Sequence, residues 1–367
     1  MKITTERRNA TAIAERFALS SPITAVAPYG TGLINATFLV TAADSGYILQ
    51  RINDAVFAEP ERIMANLALL DAHLGTRDSS GIRIPALIPA RDGTPFVLAE
   101  DRGVWRLMER IPNSRSLARI DTLAQAQEVG RILGRFHACT SDLPVDKLAV
   151  TLPGFHVTPS YLAQFRRALK APAADQPDEL RQAIASVTAR QGRAAFLENA
   201  RRRGQVPMRV IHGDPKLDNI LFDRDTDRAL SLIDLDTVQP GLLHYDIGDC
   251  LRSCCNRGGE STDGYENTQF DLDLCGAILG SYANETKGVL ERAEIGLLFD
   301  AIRLIPFELG MRFLTDHLEG DRYFRVTEPG QNLRKAQIQF ALVEDIEAKE
   351  REIRHIITAS FTADDRD

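Results

Sequence analysis

The sequence predicts an α+β fold in two lobes, a small antiparallel sheet lobe over residues 1–108 and a large, mainly helical lobe over residues 109–367. Three observations carry this prediction. Strand-like apolar runs fill the first hundred residues, helical periodicity dominates after Ile111, and one hairpin pattern, "NILFD" followed by "ALSLIDLD", interrupts the helical part. A chain of 367 residues is also too long for one small core.

Thr4 to Phe17 has apolar residues at helical spacing, and "ITAVAPYG" and "NATFLVTAA" then read as strands around a glycine-containing turn, with "GYILQRIN" as a third. A helix is expected from Pro60 to Leu74, with Ile63, Leu67 and Leu70 on one face. "PFVLAE" and "GVWRLMERI" form a hairpin closed by "EDRG", which makes five strands and one inserted helix. "LMERIP" joins the lobes. Asp121 is the expected N-cap of a helix that turns Leu123, Val129, Ile132, Leu133 and Phe136 inward. Residues 160–203 read as helices with an arginine-rich solvated face, and "FDLDLCGAILGSYA" and "QIQFALVEDIEAKEREIRHII" are helical again.

With 44 Lys and Arg against 51 Asp and Glu, the net charge is −7, which argues against a nucleic-acid partner and favours small molecules. No apolar run is long enough to span a bilayer, and the start "MKITTERRNATAIAERF" lacks the apolar core of a signal peptide, so a soluble cytoplasmic protein without membrane contact is expected. Cys139, Cys250, Cys254, Cys255 and Cys275 lack paired spacing and read as reduced, mostly buried thiols in a reducing compartment.

The chemistry is carried by "HGDPKLDN", where Asp214 precedes Asn219 by five positions. The catalytic loop of protein kinases uses the same interval between the aspartate that accepts a hydroxyl proton and an asparagine that holds a metal ion. The base must touch the acceptor oxygen while a ligand on the same loop holds the metal on the phosphate chain. One hairpin later Asp234 ends the strand "SLIDLD", placed to give a carboxylate to Mg²⁺. Asp236 is a second metal candidate, or orients Asp234. Lys216 is placed to offset charge developing on a transferring γ-phosphate. Each piece alone is weak, but the ordered set behind a sheet lobe is specific and points to phosphoryl transfer from ATP.

"IHGDPKLDNILFD…LIDLD" resembles the aminoglycoside phosphotransferase and choline kinase superfamily, small-molecule relatives of protein kinases. Within it the chain looks most like the N-acetylhexosamine 1-kinases, through "PYGTGLINATFLV", "YILQ", "LIDLDTVQPG", "YDIGDCLR" and "GMRFLTDHLEGDRYF". The resemblance runs over nearly the whole chain and implies the two-lobed protein-kinase-like fold, with ATP and Mg²⁺ as cofactors. It makes Asp214 the base, Asn219 and Asp234 metal ligands, and Arg312 and Tyr323 sugar contacts. The turn "YGTGLIN" becomes the phosphate-covering loop, with Gly30 and Gly32 letting the backbone approach and Asn35 bracing the turn. Met108 and Ile111 in the inter-lobe connection become nucleotide contacts. The acceptor implied is the anomeric hydroxyl of a hexose or N-acetylhexosamine.

Two departures qualify it. No lysine occurs between residues 3 and 146, so the third strand cannot supply the phosphate-binding lysine of protein kinases. Gln50 stands there with Arg51 beside it, in agreement with the "YILQ" of the hexosamine kinases. Either Gln50 or an arginine such as Arg51 or Arg106 orients the phosphates, or the protein binds nucleotide without turnover. The intact Asp214, Asn219 and Asp234 favour an active enzyme, and Asn66 is the expected helix partner of Gln50. Where hexosamine kinases present a histidine toward the sugar, the chain has Leu33, which admits another sugar or a less polar alcohol. Choline would call for an aromatic cage, and the single Trp105 lies in the first lobe. An aminoglycoside would need an acidic face, of which Asp271 and Asp273 offer little. His212 is expected to hold the loop, His137 to sit in the core, Asp246 to brace the catalytic loop, and Asp249 to pair with Arg252.

Overall fold

The computed structural model describes residues 9–30, 34–43, 45–76, 81–170, 176–259 and 267–362. Helical residues 9–14 belong to α1. Strands β1 (Ile23–Pro28), β2 (Ala36–Ala42), β3 (Ser45–Arg51), β4 (Leu87–Ile88), β5 (Val97–Leu98) and β6 (Val104–Glu109) form one antiparallel sheet. Its order is β1-β2-β3-β6-β4, with β5 also paired to β6. The sheet thus has six strands where five were expected, because β4 is two residues long and carries no readable alternation.

Period-two alternation sorts the two faces of this sheet. Phe38, Val40, Leu49, Trp105 and Leu107 pack with Ala10, Ile13, Ala14 and Phe17 into the core of the lobe. Leu49 lies opposite Leu107, so their neighbours Gln50 and Arg106, also opposite each other, turn to the other face.

α2 (Pro60–Gly75) starts on a proline and buries Ile63, Met64, Leu67 and Leu70 in the core of the helical lobe. That packing corrects the expectation for Asn66. Its side chain donates to the carbonyls of Ala149 and Val238, both at 2.8 Å, and accepts from the Ala149 amide at 2.9 Å, so it joins backbone segments and does not partner Gln50.

The second lobe comprises β7 (Ser114–Arg115), α3 (Leu123–Thr140), α4 (Thr158–Ala168), α5 (Asp178–Arg190), α6 (Phe196–Arg202), β8 (Arg209–Ile211), β9 (Ile220–Asp223), β10 (Ala229–Leu232), β11 (Gln239–Gly241), α7 (Leu243–Cys254), α8 (Leu272–Glu285), α9 (Arg292–Ile295), α10 (Leu298–Leu318), α11 (Gln331–Ala348) and α12 (Glu350–Thr362). The β9–β10 hairpin forms as read, β7 adds to β9, and β8 pairs with β11. Thr122, not Asp121, caps α3: its hydroxyl accepts from the Gln125 amide at 3.2 Å, while Asp121 pairs with Arg119. The five cysteines are free thiols, four of them buried. No helix among the described residues is long and apolar enough to cross a membrane.

Candidate active site

β8 delivers the chain to His212, and the two residues that follow are fixed by backbone geometry. Gly213 has φ +89°, and a Cβ there would lie 2.8 Å from the side chain and carbonyl of Thr237. Only glycine allows this approach, which sets the loop against the short 3₁₀ turn Leu235–Thr237. Thr237 Oγ1 closes the contact by donating to the His212 carbonyl at 2.8 Å.

Asp246, in the first turn of α7 and fully buried, braces the loop from beneath. Its carboxylate accepts from the amides of His212 (2.7 Å) and Gly213 (2.8 Å) and from His137 Nε2 (2.9 Å). Burial works to raise its pKa, and the His137 contact with the other donors outweighs it, so the group stays below the usual carboxylate range. His212 Nδ1 accepts from the Asp214 amide at 3.2 Å, so Nε2 carries the proton donated to the Ile233 carbonyl at 3.0 Å. Both ring nitrogens are engaged, and burial depresses the imidazole's pKa, so His212 is a neutral strut.

Asp214 follows, with its side chain 28% exposed. Oδ2 accepts from Lys216 Nζ at 2.7 Å and from Asn219 Nδ2 at 3.0 Å, and the same Nδ2 lies 2.8 Å from the Asp214 carbonyl. Burial opposes ionisation, but Lys216 holds the carboxyl below its ordinary pKa, leaving an anion. Asn219 spends its amide nitrogen on Asp214, which leaves its side-chain oxygen available for a further contact.

Asp234 follows β10 in the left-handed region, φ 63° and ψ 51°, which short polar residues tolerate best after glycine. The surrounding protein and the Asp236 charge push its carboxyl up to about 6, although the residue is exposed. Such a group gains by meeting a cation. Among the described residues no cluster of three or more His, Cys, Asp or Glu forms a metal cage. An asparagine oxygen plus one carboxylate fits Mg²⁺, which keeps waters and takes its remaining oxygens from substrate phosphates.

Asp236 is buried and spoken for. Oδ2 accepts from Asn35 Nδ2 at 2.7 Å, and Oδ1 lies 2.5 Å from Arg106 Nη2. Arg106 in turn donates from Nε (3.1 Å) and Nη2 (2.6 Å) to Gln50 Oε1, while Gln50 Nε2 donates to Thr37 Oγ1 at 3.1 Å. Asn35 also accepts from the Asn53 amide at 3.0 Å, so the residue expected to brace the glycine turn joins its own lobe to the second through Asp236. Arg51 pairs instead with Asp101 at 2.8 Å on an exposed edge.

A buried pair that sequence reading missed supports the loop from the other side. His156 Nε2 meets the Gly213 carbonyl at 2.8 Å and Nδ1 meets Glu308 Oε1 at 2.9 Å. Both partners are acceptors, so both nitrogens donate and the ring is an imidazolium. Burial works against that charge, yet Glu308 raises the pKa above its ordinary value. Glu308 Oε2 also accepts from Thr158 Oγ1 at 2.5 Å.

Arg312, on α10, lies against four rings: Tyr161 at 4.9 Å, Phe155 at 5.4 Å, Phe324 at 5.5 Å and Tyr323 at 5.9 Å. Among the described residues it makes no ion pair and no hydrogen bond, so the ordinary surface ion pair does not account for it. Burial disfavours its charge, and Tyr161, Tyr323, Glu308 and Asp214 more than compensate. Tyr323 and Phe324 reach it because Asp316 folds the following loop back: its carboxylate accepts from the amides of Arg322 (2.8 Å), Tyr323 (2.7 Å) and Phe324 (2.9 Å).

Of the other expected site residues, Gly30 sits in the β1–β2 turn with φ 73°, and Met108 is half-buried on β6. Ile111 is buried, with its carbonyl accepting from Ser114 Oγ at 2.7 Å. Gly32 and Leu33 lie outside the described residues. Asp249 and Arg252 pair at 2.8 Å beneath Asp214.

A small antiparallel sheet region, a helical region and this loop pair define the class as a protein-kinase-like phosphotransferase fold. An aminoglycoside phosphotransferase from Alicyclobacillus acidocaldarius superposes with TM-score 0.64 over 94% of this chain and 96% of that one, at 14% identity. Choline kinase from Cryptosporidium parvum gives 0.60 over 98% and 99%, at 13% identity. In sequence, a homoserine kinase of Cupriavidus pinatubonensis is 29% identical over 198 residues, 53% of each chain, so the chain spans about half the length of the curated relative it matches. The phosphotransferase enzyme family APH matches residues 25–274, and the chain belongs to it.

Proposed function

We propose that the protein is an ATP- and Mg²⁺-dependent kinase that phosphorylates the anomeric hydroxyl of a hexose or N-acetylhexosamine. Residues 1–108 form its nucleotide lobe and residues 109–367 its catalytic and acceptor lobe. The observation that carries the reading is the Asp214 carboxylate held by Lys216 at 2.7 Å and by Asn219 at 3.0 Å on one loop of a chain that belongs to this phosphotransferase family.

Asp214 accepts or orients the acceptor's proton, and its depressed pKa keeps it available as the anion. Asn219 and Asp234 would hold Mg²⁺, which screens the phosphate oxygens when bound with ATP. Lys216, 2.7 Å from Asp214, places positive charge where negative charge gathers during transfer. Asp236, tied to Asn35 and Arg106, is the weaker candidate for direct metal contact and would orient Asp234 only through the short turn they share. Gly30, Met108 and Ile111 would contact the nucleotide, and Gly32 is assigned the same role from sequence alone. Tyr323 and Arg312 face the acceptor, and Leu33 would border it. Catalysis is then mainly positioning and electrostatics.

The acceptor class follows from charge. A guanidinium without an anionic partner repels a cation and suits hydroxyls or a carboxylate. This favours a sugar over choline or an aminoglycoside. Homoserine, whose carboxylate Arg312 would receive, is the second reading, and the sequence similarity to a homoserine kinase supports it. The test is an ADP-release screen of hexoses, N-acetylhexosamines, homoserine, choline and aminoglycosides. Asp214→Asn should lower turnover about 10²–10⁴-fold while ADP binding is kept. Unchanged turnover in that variant would sink the assignment.

A further inference from the structure

Resting on the kinase reading, one feature of the first lobe goes further. Arg106 is 1% exposed, yet its Nη1 has no hydrogen-bond partner among the described residues. The rest of the guanidinium is fixed, with Nε and Nη2 on Gln50 Oε1 and Nη2 on Asp236 Oδ1. The cation lies between the start of β2 and the turn that follows β10. On one side is Asn35, just after the glycine turn, which bonds the same Asp236 carboxylate at 2.7 Å. On the other is the short turn Leu235–Thr237, which carries Asp236 and directly follows Asp234.

Strand register explains how the position arose. Gln50 on β3 and Arg106 on β6 are direct cross-strand partners, so a cation on either strand reaches the same point of the cleft. The lobe has no lysine after residue 2 and before residue 147, and Arg51 is turned to the opposite face and paired with Asp101. We infer that Arg106, aimed by Gln50, is the nucleotide-binding cation of this protein, contacting phosphate through Nη1 from β6 in place of a β3 lysine. Gln50 is then a positioning residue, and its neutrality is required, since a second cation there would repel Arg106.

Removing Arg106 alone strands the Asp236 carboxylate in the interior and invites misfolding. The test therefore uses Arg106→Met with Asp236→Asn, which removes both charges together. ADP binding is measured by calorimetry in EDTA, so that loss of a metal ligand plays no part. The expected result is at least a tenfold weaker dissociation constant in the double variant. A second variant, Arg106→Gln with Gln50→Lys, returns the cation to β3 and should bind ADP within about threefold of wild type, since a tenfold change is only ~1.4 kcal/mol. A double variant that is folded and binds ADP as tightly as wild type overturns the inference. Wild-type protein that binds no adenine nucleotide overturns the kinase reading instead.

Discussion

Glu308→Gln tests the imidazolium beneath the catalytic loop. His156 donates from both nitrogens, and the Glu308 carboxylate is the only anion in hydrogen-bond contact with the ring among the described residues. Both side chains are buried, 5% and 1% exposed. Removing one partner of a buried pair leaves an uncompensated charge, at a cost of about 3–5 kcal/mol. In a lobe of this size that corresponds to a melting temperature lower by roughly 6–20 °C. The pH dependence is more diagnostic. The folded-state pKa of His156 is raised, so its stabilisation is complete below the unfolded value, near 6.5, and is lost as pH rises through the folded value. Between the two the native state binds one extra proton, and stability falls by at most ~1.4 kcal/mol per pH unit. Melting of wild type and variant followed by circular dichroism from pH 6 to 9 should give curves that converge as pH rises, because only wild type has this contribution to lose. Parallel curves would refute the charged-histidine argument, whatever their offset.

Two further perturbations separate loop geometry from acceptor binding. Gly213→Ala puts a methyl 2.8 Å from the Thr237 carbonyl and demands a left-handed alanine, which alone costs about 1–2 kcal/mol; a lower melting temperature and reduced kcat are expected, and unchanged kcat would contradict the tight fit. Asp316→Ala releases the amides of residues 322–324 and with them the rings of Tyr323 and Phe324; acceptor KM should rise about tenfold with ADP affinity unchanged, and an equal loss of both would show a general structural defect.

What could be read from sequence follows sequence separation. Asp214, Lys216 and Asn219 lie on one short loop, and their contacts at 2.7–3.0 Å are local consequences of the order HGDxxxxN. Asp234 was legible because a single hairpin returns it. The Gln50–Arg106 pair needed strand register, and the sequence offered Arg51 and Arg106 as equals until the faces of the sheet were sorted. His156 and Glu308 are 152 residues apart, and neither "FHV" nor "FEL" has a spacing that links them. Asn66 was misassigned because α2 packs into the helical core, which sequence periodicity shows only as an apolar face without its partner. The cap of α3 was missed by one residue, where Asp121 and Thr122 are both competent.

α10 joins the two halves of the site. Glu308, Arg312 and Asp316 are spaced four apart, so they stand on one helical face in the order acid, base, acid. That pattern ordinarily lets each acid neutralise the central base. Here neither does, because Glu308 is committed to His156 and Thr158, and Asp316 to three backbone amides and Asn332. The arginine therefore keeps its charge for the cleft, with aromatic rings in place of a counter-ion. The acid above it positions the loop that carries Asp214, and the acid below it positions the rings that hold it. On the proposed reading, changing Arg312 alone would not admit a cationic acceptor. An acidic residue at that point would give three like charges along one face, two of them fixed by the catalytic loop and the ring loop. On the proposed reading, a preference for a neutral or anionic acceptor would reside in the same helix that supports the Asp214 loop.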